Sequence, residues 1–381
     1  MIFDNIITNP KSYMKNTKSI NYPQLASLVG LYASVIIGWI AYYNYQPKLL
    51  LNFGFVHFTF ALFVAQGLIL VITPPIAGKI GDRFRQTSGN RLPVITAGIS
   101  FAAMVFMAVA FTLMANPGEI LKWLLPFLII LWLFSMSIFT SPAISTIELF
   151  APSAKLPAAM AIITLVSGLL YAVEPIIVDL IDYLGAPVTF IGGGVAVLVS
   201  GYFLRKTTAV VDDKVEHDDT PVIIEEESNE GIDFPFVIAL GVAFGIASTV
   251  LFNKFPDRFE AILVSGPDSF NGNQIVSMVL AFSALISIPI GNLVEKYGVS
   301  KSAQVGIVGV LIVMFGVLLV DNVVGIIICT FLFSILYTLV SVSTLPLALS
   351  KVDFKRKVFG VGLFFAGFEI PNGILEAIIN Y

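Results

Sequence analysis

Long runs of apolar residues recur along almost the whole chain, and short polar or charged segments separate them. Many runs reach about 20 residues, the length that a helix needs to cross a hydrocarbon core of about 30 Å. Such segments satisfy their backbone hydrogen bonds in lipid when they are helical. The pattern predicts eleven membrane-spanning helices, at about 25–46, 57–78, 93–114, 121–146, 156–177, 186–204, 234–253, 273–292, 302–320, 323–347 and 357–379.

One polar segment interrupts this pattern between the sixth and seventh predicted helices. Residues 205–233 are rich in aspartate and glutamate, and such a segment is too polar to cross lipid. We interpret it as a solvated, cytoplasmic linker. The chain is therefore predicted to consist of an N-terminal half of six helices (1–204), the acidic linker (205–233) and a C-terminal half of five helices (234–381).

The composition supports a membrane protein and limits the classes of molecule that it can bind. Hydrophobic residues make up 57% of the chain and charged residues 12%, with a mean hydropathy of +0.91, whereas about a quarter of a soluble domain is charged. The net charge of −4 argues against nucleic acid as a partner. The single cysteine, Cys329, excludes an intramolecular disulfide. The first 24 residues do not have the pattern of a cleavable signal peptide.

The distribution of positive charge predicts the orientation in the membrane. The sequence contains 21 lysines and arginines. If the N-terminus is cytoplasmic, all of them except Lys48, Lys122, Lys254 and Arg258 fall in cytoplasmic segments. Positive side chains concentrate on the cytoplasmic side of membrane proteins. We therefore predict a multi-pass protein of the cell membrane, plasma or bacterial inner, with a cytoplasmic N-terminus.

Two motifs of the first half recur, in the same order, in the second half. "GKIGDRF" follows the second predicted helix and "GNLVEKYG" follows the eighth, while "STIELFAPSAK" is similar to "STLPLALSKVDFK". The residues that correspond in the first pair of motifs are Gly78 and Gly291, Asp82 and Glu295, and Arg83 and Lys296. Repeated halves are typical of transporters that work by alternating access, with a binding site near the middle of the membrane.

The loop after the second helix also carries a recognisable signature. The spacing G-x-x-x-D-R, from Gly78 to Arg83, resembles the signature loop of the major facilitator superfamily. Its longer form, D-R-x5-G-x-R-x-P, includes Gly89, Arg91 and Pro93 and is similar to the sucrose–proton symporters and the wider glycoside–pentoside–hexuronide cation symporters. "GWIAYYNYQPKLL" and "SVSTLPLALS" are similar to segments of the same branch. The resemblance implies an all-α major facilitator fold with two pseudo-symmetric halves.

Two features depart from what the resemblance implies. The sucrose branch has an arginine and an aspartate in its fourth helix, where this chain reads "SPAISTIELF" with Glu148 near the aspartate position. The superfamily has twelve helices, whereas the hydropathy pattern predicts six plus five, with the twelfth missing. The resemblance implies symport, the proton-coupled uptake of a sugar or glycoside.

The charged residues around this loop are predicted to form a cytoplasmic gate. Asp82 can pair with an arginine and with the positive N-terminal dipole of a neighbouring helix, and Gly78 permits close helix approach. Glu148 is expected to form an ion pair in the same gate, for example with Lys155. The predicted gate residues are Gly78, Asp82, Arg83, Gly89, Arg91, Glu148, Glu295 and Lys296. The alternative is that the cations only keep the loop in the cytoplasm.

Two carboxylates near or inside predicted helices are candidates for proton coupling, because ionisable residues within a membrane are costly and rare. Glu369 lies roughly 17 Å along the last helix, near mid-membrane, and Pro371 and Asn372 follow it. A buried carboxylate can load and release a proton as access alternates. Glu174, near the outer end of the fifth helix, is the second candidate. The alternatives are a structural carboxylate at Glu369 and a solvated charge at Glu174.

Aromatic and amide side chains are predicted to bind the cargo. By their spacing, one face of the first helix carries Tyr32, Trp39, Tyr43 and Gln46. Aromatic rings stack on sugar rings and amides bind hydroxyl groups, so this face suits a glycoside. The alternative is an aromatic belt at the outer interface. The predicted substrate-binding residues are Trp39, Tyr43, Gln46, Gln66 and Asn372.

Other chemistry has no signature in the sequence. It contains no phosphate-binding glycine loop, no His and Cys set with metal-ligand spacing and no nucleophile elbow, so no cofactor, metal or enzymatic activity is predicted. We predict a monomeric secondary transporter in the lipid bilayer that takes up a small-molecule solute, a sugar or glycoside, together with protons. The alternatives are an efflux or pigment-related carrier of the same fold, and a non-transporting membrane scaffold or receptor.

Overall fold

A computed structural model of the chain describes residues 19–55, 59–115, 118, 121–208, 233–263 and 271–379. Within these ranges, eleven helices are long and apolar enough to cross a membrane, and each coincides with one of the eleven predicted spans. They are α1 Tyr22–Asn52, α2 Thr59–Ser88, α3 Leu92–Met114, α4 Leu124–Ile144, α5 Leu156–Ala172, α6 Ala186–Thr208, α7 Phe234–Asn253, α8 Gly272–Tyr297, α9 Val299–Leu319, α10 Val323–Ser350 and α11 Lys357–Ile379.

Shorter helices lie between several of these spans. They are Ile147–Phe150, Glu174–Leu184 and Phe255–Leu263, together with 3₁₀ turns at Leu121–Trp123, Ser153–Lys155 and Phe354–Arg356. The predicted linker, 205–233, begins inside α6, and Asp233 caps α7 by accepting a hydrogen bond from the Phe236 amide at 3.0 Å. Residues 209–232 of that linker lie outside the described residues.

Helix ends differ from the sequence prediction at two places that matter for function. α2 continues to Ser88, so the first charged residues of the predicted loop belong to a helix. It ends at Gly89, whose φ of +78° favours glycine. α5 ends at Ala172, and a new helix starts at Glu174 with Pro175 in its first turn, where a residue without a backbone N–H is tolerated.

The two halves meet along two pairs of helices. α2 packs along α11, and α5 packs along α8. Since α8 repeats α2 and α11 repeats α5, each pair is the counterpart of the other. The glycines of the repeated motif lie at both crossings: a Cβ on Gly78 would be 2.5 Å from the Val358 carbonyl oxygen, and one on Gly291 would be 2.7 Å from the Ala161 Cβ. The bundle is therefore pseudo-symmetric, as the repeat predicts.

Within each half the helices pack through apolar side chains and close approaches. In the first half α6 packs against α1 and α3, and in the second half α7 packs along α11 and α9 along α10. Large apolar side chains are also exposed on the outside of the bundle, as along α9 at Val305, Ile312 and Leu319. Such a surface is stable in contact with lipid tails.

Candidate functional site: a cavity closed at one end

A cavity of about 780 Å³ lies between the two halves. Its wall is formed by α1, α2, α4 and α5 of the first half and by α7, α8, α10 and α11 of the second. The lining reaches Asn253 and Gln274, at the end of the bundle where α7 ends and α8 begins, which we call the mouth end. In the other direction it extends to Pro74, Ile144 and Leu345. Beyond them is the latch end, where α2, α4, α8 and α10 end.

Five of the predicted functional residues share this cavity. Trp39 and Tyr43 line it from α1, Glu369 and Asn372 from α11, and Glu174 from the start of the short helix after α5. Glu174 is half-buried, and burial raises the pKa of its carboxyl above the usual value. The structure thus brings both candidate coupling carboxylates and three candidate binding residues together, while their roles stay predictions.

Two other predicted binding residues lie elsewhere. Gln66 is fully buried, and its side-chain oxygen accepts a hydrogen bond of 2.8 Å from the Tyr42 hydroxyl, between α1 and α2. Gln46 is also buried and faces a separate pocket of about 10 Å³, lined by Trp132 of α4 and Phe190 of α6. The face of α1 that carries Trp39 packs against neighbouring helices at the level of Gln46, so helical spacing alone does not place that amide in the cavity.

Three tyrosines line the cavity; the predicted binding face of α1 included Tyr32, whereas sequence reasoning missed Tyr171 and Tyr337. Tyr32 of α1, Tyr171 of α5 and Tyr337 of α10 all line it. Glu369 lies close enough to Tyr32 and Tyr171 to interact electrostatically with their hydroxyl groups. The Tyr337 hydroxyl is 3.1 Å from that of Ser248. No local pattern distinguishes Tyr171 and Tyr337, because only the fold brings these two distant parts of the chain to the same cavity.

At the latch end, Asp82 joins the two halves. Its carboxylate accepts backbone N–H groups of Val358 at 3.1 Å and Phe359 at 2.8 Å, in the first turn of α11. The side chain is only 5% exposed. A carboxylate at this position satisfies backbone donors that have no partner within the helix and interacts favourably with the helix dipole. The helix N-terminus expected as a partner of Asp82 is that of α11.

Glu148 lies at the centre of a buried ion-pair cluster next to this contact. Its Oε1 is 3.4 Å from Arg85 Nη1 and 3.1 Å from Arg91 Nη2. Arg91 also donates to the carbonyl and hydroxyl oxygens of Ser145, at 3.1 and 2.8 Å. Both arginines are 1% exposed. The expected pair between Glu148 and Lys155 is not formed, because Arg85 and Arg91 occupy that carboxylate.

The arginine that contacts the second half is Arg85, which sequence reasoning treated only as a cytoplasmic charge. Arg85 donates to the Phe354 carbonyl oxygen, and its guanidinium carbon lies 4.3 Å from the centre of the Phe354 ring. The predicted gate residue, Arg83, is exposed instead. Because α2 continues through this segment, a residue three positions after Asp82 shares its helix face, whereas the next residue does not.

A second contact joins the halves on the α5–α8 side. Lys155 Nζ and Glu295 Oε2 are 2.5 Å apart. Lys296, which repeats Arg83, is exposed, with its Nζ 5.5 Å from the centre of the Tyr297 ring. Of these two predicted gate residues, Glu295 therefore pairs with a residue of the other half, whereas Lys296 does not take part in that contact.

Ion pairs at the mouth end have a different arrangement. Lys48 of α1 binds Asp182 of the short helix after α5 at 2.8 Å, within the first half. Arg258 binds Asp321 at 2.6 Å, within the second half. Hydrogen bonds from Lys48 lower the pKa of the Asp182 carboxyl, so this pair persists at neutral pH and weakens as the pH falls through that lowered pKa. Neither pair restrains one half against the other.

Comparisons with known proteins identify the fold. The chain matches the profile of the Major Facilitator Superfamily over residues 25–374. A crystal structure of a bacterial homologue of the iron transporter ferroportin, in an outward-facing state, has a TM-score of 0.64 at 17% identity, covering 93% of this chain and 91% of that one. A second structure of such a homologue, in the same state with soaked iron, has a TM-score of 0.62 at 16% identity, covering 94% and 91%.

Neither of these structures is of a sucrose or glycoside symporter, the branch that the loop motif resembles. A search of curated proteins finds no significant match. The superfamily match, however, covers nearly all of the eleven helices. The chain belongs to the Major Facilitator Superfamily.

Proposed function

We propose that this protein is a secondary transporter in which the cavity opens alternately toward the two sides of the membrane. The observation that carries the proposal is the asymmetry of the two ends. The cavity lining reaches the mouth end, whereas contacts of Asp82 and Lys155 hold the halves together at the latch end. The positive-charge pattern of the sequence assigns the latch end to the cytoplasm, so the state described here is outward-open in this proposal.

Opening toward the cytoplasm would require the latch contacts to separate. Rocking of one half against the other would withdraw the first turn of α11 from Asp82 and separate Lys155 from Glu295. The Glu148 cluster would keep its own pairs, because Arg85, Arg91 and Glu148 all belong to the first half. Arg85 would lose only its contact with Phe354. The latch contacts therefore favour one state without making it permanent.

Glu369 is the proposed coupling residue. It lies on the cavity wall at the interface of the halves, on the helix whose first turn Asp82 holds. A charged carboxylate at membrane depth is costly, and protonation removes that charge when the cavity changes sides. Loading a proton on one side and releasing it on the other would couple the rocking motion to the proton gradient.

The cargo supported best is a small organic solute. The sugar predicted from the sequence would meet Trp39, Tyr43 and Asn372 on the wall. A metal ion is the second candidate, because a structural neighbour with the same fold is known with soaked iron. Within the described parts of the chain, no group of three or more His, Cys, Asp or Glu side chains could hold a metal ion. Aromatic rings, hydroxyls and amides dominate the described lining instead.

The test uses purified protein in vesicles that contain a pH-sensitive dye. Sugars, amines and ferrous iron are added in turn, and we expect at least one solute to drive proton movement across the vesicle membrane. Glu369→Gln should abolish solute-driven proton movement. Asp179→Asn, an exposed carboxylate on the short helix after α5, is the control and should leave it intact. Proton movement that survives in Glu369→Gln would refute the coupling role, and absence of transport of every solute would refute the transporter.

A further inference from the structure

The charged side chains on the cavity wall are all of one sign. Among the described residues that line the cavity, the charged ones are Glu174 and Glu369. Lysine, arginine and histidine do not occur in that described lining, although the chain contains 21 lysines and arginines. A cleft with charges of one sign and walls of low dielectric constant focuses its field on the solute inside. This wall attracts a cation and repels an anion.

Aromatic rings lie on the same cavity wall as the deeper of the two carboxylates, Glu369. Phe368 precedes Glu369 on α11, and its ring centre is 5.1 Å from that of Phe244, which in turn is 5.6 Å from that of Tyr337. Tyr32, from α1, approaches Glu369 closely enough to interact electrostatically. The faces of aromatic rings attract cations, and quaternary ammonium groups are recognised in this way. A wall that carries a carboxylate together with several aromatic rings is therefore complementary to a bulky positive group.

The size of the cavity also restricts the class of cation. A volume of about 780 Å³ is in the range of sites for organic ligands, roughly 300–1,000 Å³. A bare metal ion would need several oxygen, nitrogen or sulfur ligands within coordination distance, and the described residues contain no group of three or more His, Cys, Asp or Glu side chains that could hold one. Amides at the mouth end, from Asn253, Asn271 and Gln274, can bind polar substituents of a larger solute.

We propose that the cargo is an organic cation, a protonated or quaternary amine, that binds between Glu369 and the rings of Tyr32, Phe244, Tyr337 and Phe368. This proposal rests on the proposed function, because it names the cargo class of the same cavity. An organic cation differs from a sugar in carrying a positive charge, and that is the property for which the negatively charged wall selects. A neutral glycoside would stack on the rings but would gain nothing from the negative charge of the wall.

The decisive experiment compares two probes of the same shape and different charge. Choline and 3,3-dimethylbutan-1-ol differ in that a quaternary nitrogen replaces a carbon atom. The unfolding temperature of the detergent-purified protein is measured with each probe, and with sucrose, at millimolar concentrations. We expect choline alone to raise it. The proposal is wrong if the neutral alcohol stabilises the protein equally, if sucrose stabilises it and choline does not, or if none of the three has an effect.

Variants then assign the binding to this wall. Glu369→Gln should weaken choline binding by about ten-fold or more, as expected when a charge-assisted contact is lost, while Asp179→Asn should leave it unchanged. Tyr337→Leu should weaken binding more than Tyr337→Phe, since phenylalanine keeps the ring. Equal binding by Glu369→Gln and the unaltered protein would overturn the assignment. Should this variant fail to fold, the two-probe comparison on the unaltered protein still decides.

The outcomes separate this proposal from the proposed function. Choline that binds but is not moved across vesicle membranes would support the cation site and contradict the transporter. Transport of a sugar without any effect of choline would support the transporter and contradict the cation.

Discussion

Two of the contacts that join the halves at the latch end are counterparts in the repeat, and yet they differ in chemistry. Asp82, at the end of α2, accepts two backbone N–H groups of α11. Glu295, at the end of α8, instead pairs with the side chain of Lys155, just before α5. The first turn of α5 contains Pro157, which has no N–H to donate. The loss of one backbone donor and the longer side chain of Glu295 together favour a side-chain partner on this side.

The two contacts also differ in how deeply their side chains are buried. Asp82 is 5% exposed and adjoins the buried cluster of Glu148 with two arginines. The side chain of Lys155 is 45% exposed, and an exposed ion pair contributes little because water and salt screen it. The comparison indicates that the contacts on the α2–α11 side, including the buried cluster within the first half, contribute more to stability than the exposed pair on the α5–α8 side. Four substitutions test this, from the largest expected effect to the smallest.

The largest effect is expected for Glu148→Gln. This change removes the counter-charge of two buried arginines, and breaking a buried ion pair from one side destabilises a protein by about 3–5 kcal/mol. The midpoint of thermal unfolding in detergent should fall clearly. Glu295→Gln is the matched change on the other side of the bundle. If both variants unfold at the same temperature, the assignment of strength to the α2–α11 side is wrong.

Arg85→Gln comes next, with a neighbouring control. Arg85 contacts Glu148 and Phe354, and the loss of hydrogen bonds to a charged group costs about 1.5–3 kcal/mol. Arg83→Gln, two residues earlier on the same helix and exposed, should change the stability by no more than about 0.5 kcal/mol. The two variants are compared in the same unfolding assay. If Arg83→Gln lowers the unfolding temperature more than Arg85→Gln does, the exposed arginine, and not the buried one, is the residue of this motif that stabilises the protein.

Asp82→Asn should lower the free energy of unfolding only modestly. Its main effect should be to shift the conformational equilibrium toward an open latch end. Asparagine keeps one acceptor for α11 but loses the charge, and interaction with a helix dipole contributes up to about 2 kcal/mol at a partly buried site. We expect easier opening of the latch end, measured as faster hydrogen exchange in the first turn of α11. Unchanged exchange there, with normal folding, would show that the carboxylate does not hold that helix.

The smallest effect is expected for Lys155→Gln. An exposed ion pair contributes about 0–1 kcal/mol, so the unfolding temperature should hardly move, and the remaining difference should vanish at high salt because of screening. Lys296→Gln removes an exposed positive charge beside Glu295 and serves as the control. A loss comparable to that of Glu148→Gln would contradict the ranking of the two contacts.

The sequence was sufficient to predict features that depend on length and repetition. The eleven spans follow from apolar runs, and the pairing of Gly78 with Gly291 follows from the repeated motif. The partners of the charged residues were harder to predict. Treating the end of α2 as a loop favoured Arg83 over Arg85, because the angle between neighbouring residues is fixed only once the helix is known to continue.

Contacts between helices that are distant in the sequence could not be predicted either, because no local pattern shows which helices pack together. Glu295 has a lysine next to it in the sequence, but its partner Lys155 is 140 positions away. Gln46 and Gln66 have the amide chemistry of a binding residue, yet packing among α1, α2, α4 and α6 buries them away from the cavity. Tyr171 and Tyr337 are not part of any motif, and only the assembled bundle places them near Glu369.

The central claim is that the latch end and the mouth end open alternately. Distances between spin labels on the two halves test it most directly, in a Cys329→Ser background that removes the single native cysteine. One protein carries labels at Arg83→Cys and Lys296→Cys for the latch end, and another at Tyr183→Cys and Lys254→Cys for the mouth end, all exposed positions. Asp82→Asn should add longer distances at the latch end and, in equal proportion, shorter distances at the mouth end. Latch-end distances that do not change, or distances that lengthen at both ends together, would contradict the account.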